Sequence, residues 1–137
     1  MDLVGRLLPK LQAKERKRGY KGLSQLERTV VDVMGVEDEV MNGGLHQFFF
    51  NSAGDRVSQS IAALREIGAA TTAAIVEEAC ARFPEGKPTA NRIARQKQLD
   101  KLAFETFWDL DKRFISYPDR VVELLAAYWL KHGGPTD

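Results

Sequence analysis

The chain lacks the features of secreted, disulfide-linked and membrane-spanning proteins. Its 137 residues include one cysteine, Cys80, and a lone cysteine cannot form an intramolecular disulfide. No apolar run approaches the roughly 20 residues that cross a bilayer, and the N-terminus has no apolar stretch followed by a small-residue cleavage site. We therefore expect a cytoplasmic protein without a membrane-spanning segment, in which Cys80 is a small residue of the core.

The sequence also lacks the strict alternation of polar and apolar residues that indicates β-strands. Apolar residues instead recur every three or four positions, which is typical of amphipathic helices. Hydrophobic residues make up 44% of the chain and charged residues 28%, as in an ordinary globular domain. We predict an all-α fold, a compact single-domain bundle of about six or seven helices.

Capping residues, glycines and prolines set the predicted helix boundaries. A first helix covers residues 3–18, where Pro9 restricts its start. The second begins at Ser24, which forms a capping-box pattern with Glu27, and ends at residues 42–44. Further helices are predicted over residues 45–52, 55–68, 71–83, 90–115 (one long helix or two abutting ones) and after Pro118. The apolar residues expected to face inward within 90–115 are Ile93, Leu99, Leu102, Phe107, Leu110 and Phe114.

Charge is distributed unevenly along the chain, although the net charge is only +1. Residues 1–22 carry seven Lys and Arg against two acidic residues, and we predict a basic N-terminal helix of the same domain. Residues 23–55 reverse the balance, with six acidic residues and one arginine, within a helical domain predicted over 23–131. Residues 132–137 are predicted to be a flexible tail. The two segments of opposite charge either pair with each other or steer a charged partner.

The densest group of unusual residues lies between positions 42 and 55. Adjacent glycines can adopt positive φ and end a helix, and three consecutive phenylalanines cannot all face one side of a helix. This segment is therefore covered on most sides, or it presents an aromatic ring to a partner. Asp55 is placed to cap the next helix. We predict a structural or recognition corner formed by Asn42, Gly43, Gly44, His46, Gln47, Phe48, Asn51, Gly54 and Asp55.

Residues 39–55 read Glu-Val-Met-Asn-Gly-Gly-Leu-His-Gln-Phe-Phe-Phe-Asn-Ser-Ala-Gly-Asp, and this run resembles the signature of the DNA-mimic-protein-19-like family. The resemblance continues through residues 63–69, 83–84, 110–111 and 114, and covers about 23–129. It implies an all-helical bacterial protein from a group of largely unknown function. The namesake of the family is a DNA mimic, in which surface carboxylates replace phosphates on the DNA-binding face of a transcription factor.

Imitation of a duplex requires many carboxylates, because DNA carries one charge per about 1.7 Å of its axis. This chain is not acidic. We therefore expect it to share the helical scaffold of the family but not to imitate DNA. We predict a non-enzymatic bacterial protein-interaction domain whose partner is an unidentified protein; the sequence does not set the oligomeric state. The predicted partner face is the acidic group Asp32, Glu37, Asp38 and Glu39.

Two alternatives place the function elsewhere. His46, Gln47 and Asn51 are polar neighbours that would suit a small-ligand or enzymatic pocket with His46 as the base, but no nucleophile pattern or second nearby histidine accompanies them. The basic segment from Lys10 to Lys21 would suit nucleic-acid phosphates, with Tyr20 as a stacking group. No known nucleic-acid-binding motif accompanies that segment.

The carboxylates near residue 105 are the last candidates for chemistry. Glu105 and Asp109 are four residues apart and would share a helix face, a spacing that carboxylate metal sites use. No Glu-x-x-His motif accompanies them or the nearby Asp100 and Asp111. Lysines and an arginine lie close in sequence, so salt bridges explain the pattern better. We predict no metal and no cofactor.

Overall fold

The computed structural model describes residues 2–136, and every regular element among them is helical. Met1 and Asp137 lie outside the described residues, so the outermost positions of the predicted basic helix and tail are not characterised. The predicted all-α single-domain fold is confirmed. The α-helices are α1 (Leu3–Arg18), α2 (Gln25–Phe50), α3 (Val57–Glu66), α4 (Ala70–Ala81), α5 (Arg92–Asp100), α6 (Trp108–Ile115) and α7 (Val121–Lys131), and short 3₁₀ turns cover Tyr20–Gly22, Ser52–Arg56 and Pro84–Gly86.

Helix α2 is the central element of the bundle and contacts α1, α3, α5, α6 and α7. It begins with the predicted capping box. Ser24 Oγ accepts from the Glu27 backbone N–H at 3.1 Å, and Glu27 Oε1 accepts from the Ser24 N–H at 2.8 Å. Because α2 is surrounded by other helices, it buries residues on several of its sides. Its fully buried apolar residues include Val30, Val33, Val36 and Val40.

Helix α2 bends sharply at Gly44, which is the predicted break between two helical segments. Gly44 has φ 83° and ψ 177°, whereas Gly43 keeps a helical backbone. The break frees the backbone N–H of Leu45, which donates to Asp111 Oδ1 of α6 at 2.7 Å. The second segment of α2, residues 45–50, is therefore capped by a side chain 66 positions away in the sequence.

An aromatic cluster fills the core below this bend. The Phe49 ring lies 4.7 Å from the Phe83 ring and 5.6 Å from the Phe107 ring, measured between centroids. Phe48 is buried beside it, while Phe50 is half exposed and stays out of the cluster. The three phenylalanines thus divide as their helical spacing requires, with two in the core and one at the surface.

The structure differs from the sequence prediction at two helix boundaries and at one residue that was expected to face inward, while the flexibility of the tail stays a prediction. Helix α1 runs through Pro9, which therefore does not set its start. Residues 90–115 form two helices separated by a seven-residue connection, and Ile93 faces solvent because α5 turns Arg95 inward instead. The described part of the tail folds back on α7, where Trp129 Nε1 donates to the Pro135 carbonyl at 2.7 Å.

We expect Gly44→Ala to destabilise the fold, because a side chain at φ 83° is strained and its Cβ would lie 2.9 Å from Asp111 Oδ2. The expected loss in the free energy of unfolding is about 1–3 kcal/mol. Gly35→Ala is the matched control within the same helix, where the new Cβ meets Ala53 Cβ at an ordinary 3.5 Å. That variant should be neutral or slightly stabilising, by up to about 1 kcal/mol. Urea denaturation measures both, and equal effects would contradict the assigned role of Gly44.

Candidate functional site

Arg95 is completely buried, at 0% exposure, and joins the end of α2 to the start of α5. A buried guanidinium is tolerated only when its donors and its charge are satisfied. Nε donates to the Phe49 carbonyl at 2.6 Å, and Nη2 donates to the Asn51 carbonyl at 3.0 Å. Nη1 donates to the carbonyls of Thr89 and Ala90, both at 3.1 Å. The side chain thereby binds carbonyls that the end of α2 and the loop before α5 leave free.

Asp55 supplies the counter-charge for this arginine and does not cap α3 as predicted. Its carboxylate binds Arg95 at 2.7 Å and Arg92 at 3.0 Å, while α3 begins without a side-chain cap. Burial by itself would raise the pKa of Asp55, but the hydrogen bonds from Arg92 and Arg95 outweigh it and hold the pKa below its usual value.

Gly54 allows the Ser52–Arg56 turn to approach the end of α2 and the Arg95 side chain closely. A Cβ on Gly54 would lie 2.7 Å from the Phe48 carbonyl oxygen and 3.1 Å from Arg95 Nε. Contacts under 3 Å to backbone cannot be relieved by a rotamer change, so a larger residue would separate α2 from the Ser52–Arg56 turn. Gly54 therefore has a structural role in this close approach, whereas the wider corner at residues 42–55 stays a prediction.

The remaining corner residues do not form the single polar pocket that the sequence suggested. Gln47 Nε2 and Asn51 Nδ2 both donate to Glu39 Oε2, at 2.9 and 3.0 Å. His46 lies on another face of the helix, where its ring stacks on Phe50 with centroids 6.2 Å apart. The helical period separates position 46 from positions 47 and 51. Asn42 is exposed on the same segment of α2.

The predicted acidic face is also divided, because α2 is buried on several sides. Asp32 is buried and accepts from the Tyr20 hydroxyl and from Arg56 Nε, the latter at 2.8 Å. Glu37 is buried as well, and its Oε1 has no hydrogen-bond partner among residues 2–136. Asp38 is exposed and Glu39 half exposed. Two of the four carboxylates are thus unavailable to a partner, and a role for the other two stays a prediction.

The basic N-terminal segment pairs in part with the acidic segment that follows it. Lys14 Nζ binds Glu27 Oε1 at 2.9 Å. Tyr20 cannot stack on a nucleic-acid base as suggested, because the Arg56 guanidinium covers its ring at 4.0 Å. Burial, followed by the hydrogen bond to Asp32, raises the pKa of Tyr20 to about 12. The exposed basic residues of the segment are Lys10, Arg16, Lys17, Arg18 and Lys21.

The carboxylates near residue 105 separate in the structure. Asp109 binds Arg82 at 2.5 Å, and this hydrogen bond lowers the pKa of Asp109 to about 2. Asp111 caps the second segment of α2. Among residues 2–136, no three His, Cys, Asp or Glu side chains are grouped so that they would hold a metal ion. None of the described helices combines the length and apolar character that a membrane crossing requires.

A groove of about 520 Å³ lies beside the bend in α2, and we call it the aromatic groove. Its outer wall consists of Phe104 and Trp108, which are 86% and 57% exposed. Their rings meet edge to face with centroids 5.3 Å apart. The other lining residues are Gly43, His46, Leu99, Asp100, Leu102, Ala103, Phe107 and Asp111.

This groove was not predicted from the sequence. A signal was present, because Phe104 and Trp108 are two aromatics four positions apart that fall outside the predicted inward set. On a helical pattern such a pair lies on one face, opposite the apolar face that includes Leu110 and Phe114. The side chains that complete the groove come from α2 and α5, and their proximity depends on the tertiary fold.

The charged lining of the groove contains Asp100 and Asp111 but no lysine or arginine. The exposed Asp100 side chain forms no hydrogen bond or ion pair with residues 2–136. Asp111 uses Oδ1 for the Leu45 N–H. Burial raises the pKa of Asp111, a shift that this hydrogen bond and the neighbouring His46 oppose. The groove thus combines exposed aromatic rings with two carboxylates.

Comparison with known proteins identifies a family. Residues 21–132 match the sequence model of a family described as DMP19-like protein. No curated protein and no solved structure is significantly similar to the chain. The matched residues include α2 to α7, and therefore both the Arg95 contacts and the aromatic groove.

We expect Arg95→Met to lower the free energy of unfolding by about 3–5 kcal/mol, because it leaves buried carbonyls and Asp55 without their donors. Arg92→Met is the matched control, since Arg92 binds the same carboxylate from an exposed position. Its loss should stay below about 1 kcal/mol. Chemical denaturation with circular dichroism measures both values. Similar losses in the two variants would contradict the central role of Arg95.

Replacement of the unpaired Glu37 by methionine should stabilise the protein at pH 7 by about 1 kcal/mol. Burial and the nearby Asp38 charge raise the pKa of Glu37 above its unfolded value, so the ionised carboxylate lowers folded-state stability at neutral pH. This penalty decreases as pH falls through the raised folded-state pKa and is nearly absent at about pH 4, near the ordinary glutamate pKa. Denaturation at pH 7 and pH 4 checks the sign, and an advantage of Glu37→Met that is unchanged at pH 4 would contradict it.

Proposed function

Because the chain belongs to the DMP19-like protein family, we propose that it is a non-enzymatic protein-interaction domain of the bacterial cytoplasm. The family supplies the helical scaffold, and the aromatic groove supplies a surface on which a partner docks. Burial, with a smaller contribution from Glu77, raises the pKa of Cys80 to about 11. A raised pKa favours the protonated thiol, which is the less reactive form, and a lone cysteine suits a reducing compartment.

The observation that carries this proposal is the exposure of Phe104 and Trp108 on the wall of one groove. Aromatic residues are enriched in protein interfaces, and tryptophan dominates the energetics of many of them. Exposed apolar side chains that contribute little to the core are unfavourable in water, and a partner that covers them removes this cost. Leu99 and Phe107 lie behind the pair and give the groove an apolar floor.

A protein fits this groove better than a small ligand does. Small-ligand sites enclose most of their ligand and direct several polar groups towards it. Phe104 is 86% exposed, so the groove is open on the side that would have to cover a ligand. Gln47 and Asn51, the amides of the suggested pocket, are committed to Glu39 on another face. An open aromatic surface favours a macromolecular partner.

Several carboxylates of the chain bind its own arginines, and this argues against imitation of DNA. Asp32 binds Arg56 at 2.8 Å, Asp55 binds two arginines, and Asp109 binds Arg82 at 2.5 Å. A carboxylate that is neutralised within the fold cannot replace a phosphate on a DNA-binding surface. Together with the net charge of +1, this supports an interaction that does not depend on mimicry.

Site-specific photo-crosslinking in the cells that naturally make the protein tests the proposal. We expect p-benzoylphenylalanine at Trp108 to yield a discrete crosslinked protein, identified by mass spectrometry. The same group at Leu130 is the matched control, because Leu130 is exposed to a similar extent on α7. It should yield no such product, since it lies outside the groove.

A third position separates the groove from the acidic face predicted from the sequence. Asp38 is the exposed carboxylate of that face, and we expect no crosslink from it. A product at Asp38 without one at Trp108 would transfer the docking surface to the acidic side of α2. Absence of a protein product at all three positions would contradict an interaction domain.

A further inference from the structure

We infer that the aromatic groove receives a basic, otherwise apolar segment of a partner protein, with an arginine or lysine over the Trp108 ring and beside Asp100. This inference rests on the proposed function and specifies the chemistry of the partner. Three observations support it: the charges that line the groove, the exposed aromatic rings, and the different lining of the other cavities among the described residues.

The charges of the groove select a cation. Its lining includes Asp100 and Asp111 and neither lysine nor arginine. Asp100 has no ionic partner among residues 2–136, and Asp111 Oδ2 accepts no hydrogen bond from them. A partner that covers the groove desolvates both carboxylates, which is costly unless it brings donors or a positive charge. An acidic segment or a nucleic-acid phosphate would be repelled.

The aromatic wall suits the same ligand. Tryptophan is the side chain that attracts cations most strongly through its ring face, and Trp108 is 57% exposed. The methylene groups of an arginine or lysine pack on apolar surface while the charged end reaches a carboxylate. Leu102 and Ala103 provide that apolar surface within the groove. Apolar residues on either side of the cation would contact the exposed Phe104 ring.

Two other cavities of similar size lie beside α2 in the described part of the chain. The one of about 410 Å³ has Tyr20 in its lining, but its own cation Arg28 already lies over that ring at 5.0 Å. The other lacks aromatic rings.

The cleft between α1, α2, the Ser52–Arg56 turn and α5 has a volume of about 440 Å³ and is lined by charged residues of both signs. Arg56 already binds Glu15 at 3.3 Å, and Arg92 binds Asp55 at 3.0 Å. Its lining includes no aromatic ring. Asp38 lies in this cleft and therefore serves as a control for charge at a different cavity.

A phage-displayed library of random dodecapeptides, selected on the full chain, tests the inference. Enriched peptides should contain an arginine or lysine beside leucine, isoleucine or phenylalanine. Synthetic versions should bind at least about tenfold more weakly to Asp100→Asn and to Trp108→Ser. Asp38→Asn should leave their affinity unchanged within about twofold. The affected side chains are exposed, so all three variants should retain the circular dichroism spectrum and Tm of the parent.

The outcomes separate this inference from the proposed function. Peptides that require Trp108 but contain no basic residue would overturn the cation and leave the interaction domain intact. If the peptides no longer bind the Asp38→Asn variant, their basic residue binds in the other cleft, and the assignment to the groove is overturned. Failure to enrich any peptide that depends on Trp108 would overturn the inference, while crosslinking at Trp108 still decides the proposed function.

Discussion

The structure depends on one buried cation. Arg95 is held between the end of α2 and the loop before α5, and its donors bind four backbone carbonyls and one carboxylate. If the guanidinium were absent, those carbonyls would be buried without partners. The polar contacts of Arg95 that join the end of α2 to the loop before α5 would also be lost. Helix α5 leads directly into the connection that includes Phe104, so the position of the aromatic groove follows from this contact.

A second long-range bond determines the other side of the groove. The bend at Gly44 exposes the Leu45 N–H, and Asp111 accepts it from α6. The two contacts have the same physical cause. In each, backbone groups at a helix end lack a partner within the helix, and a charged side chain from a distant element forms hydrogen bonds with them. Arg95 is fully buried and Asp111 partly buried, and charges removed from water contribute little net stability compared with apolar packing. We infer that they instead specify which helices are neighbours, and hence where the groove forms.

Local signals were sufficient for the helices but not for the site. The capping box at Ser24, the break at Gly44 and the division of the phenylalanines all follow from residues within one or two turns. Periodicity placed Ile93 inside because it counts apolar residues, whereas the structure buries Arg95 two positions later. The burial of Arg95 could be predicted only if its hydrogen-bond acceptors were known, and these lie up to 46 positions from it in the sequence. The groove depends on the same long-range contacts and was missed for the same reason.

The division of aromatics between core and surface links the fold to the proposed interaction. Phe107 enters the cluster around Phe49, while Phe104 and Trp108, on either side of it in sequence, face outward and pack on each other. A short segment therefore closes the core with one ring and builds the groove with two others. Because the buried Phe107 ring anchors that segment to the core, we expect the exposed pair to keep its position without a partner. Such preorganisation lowers the entropic cost of binding, and it gives a surface aromatic pair the rigidity that a docking site requires.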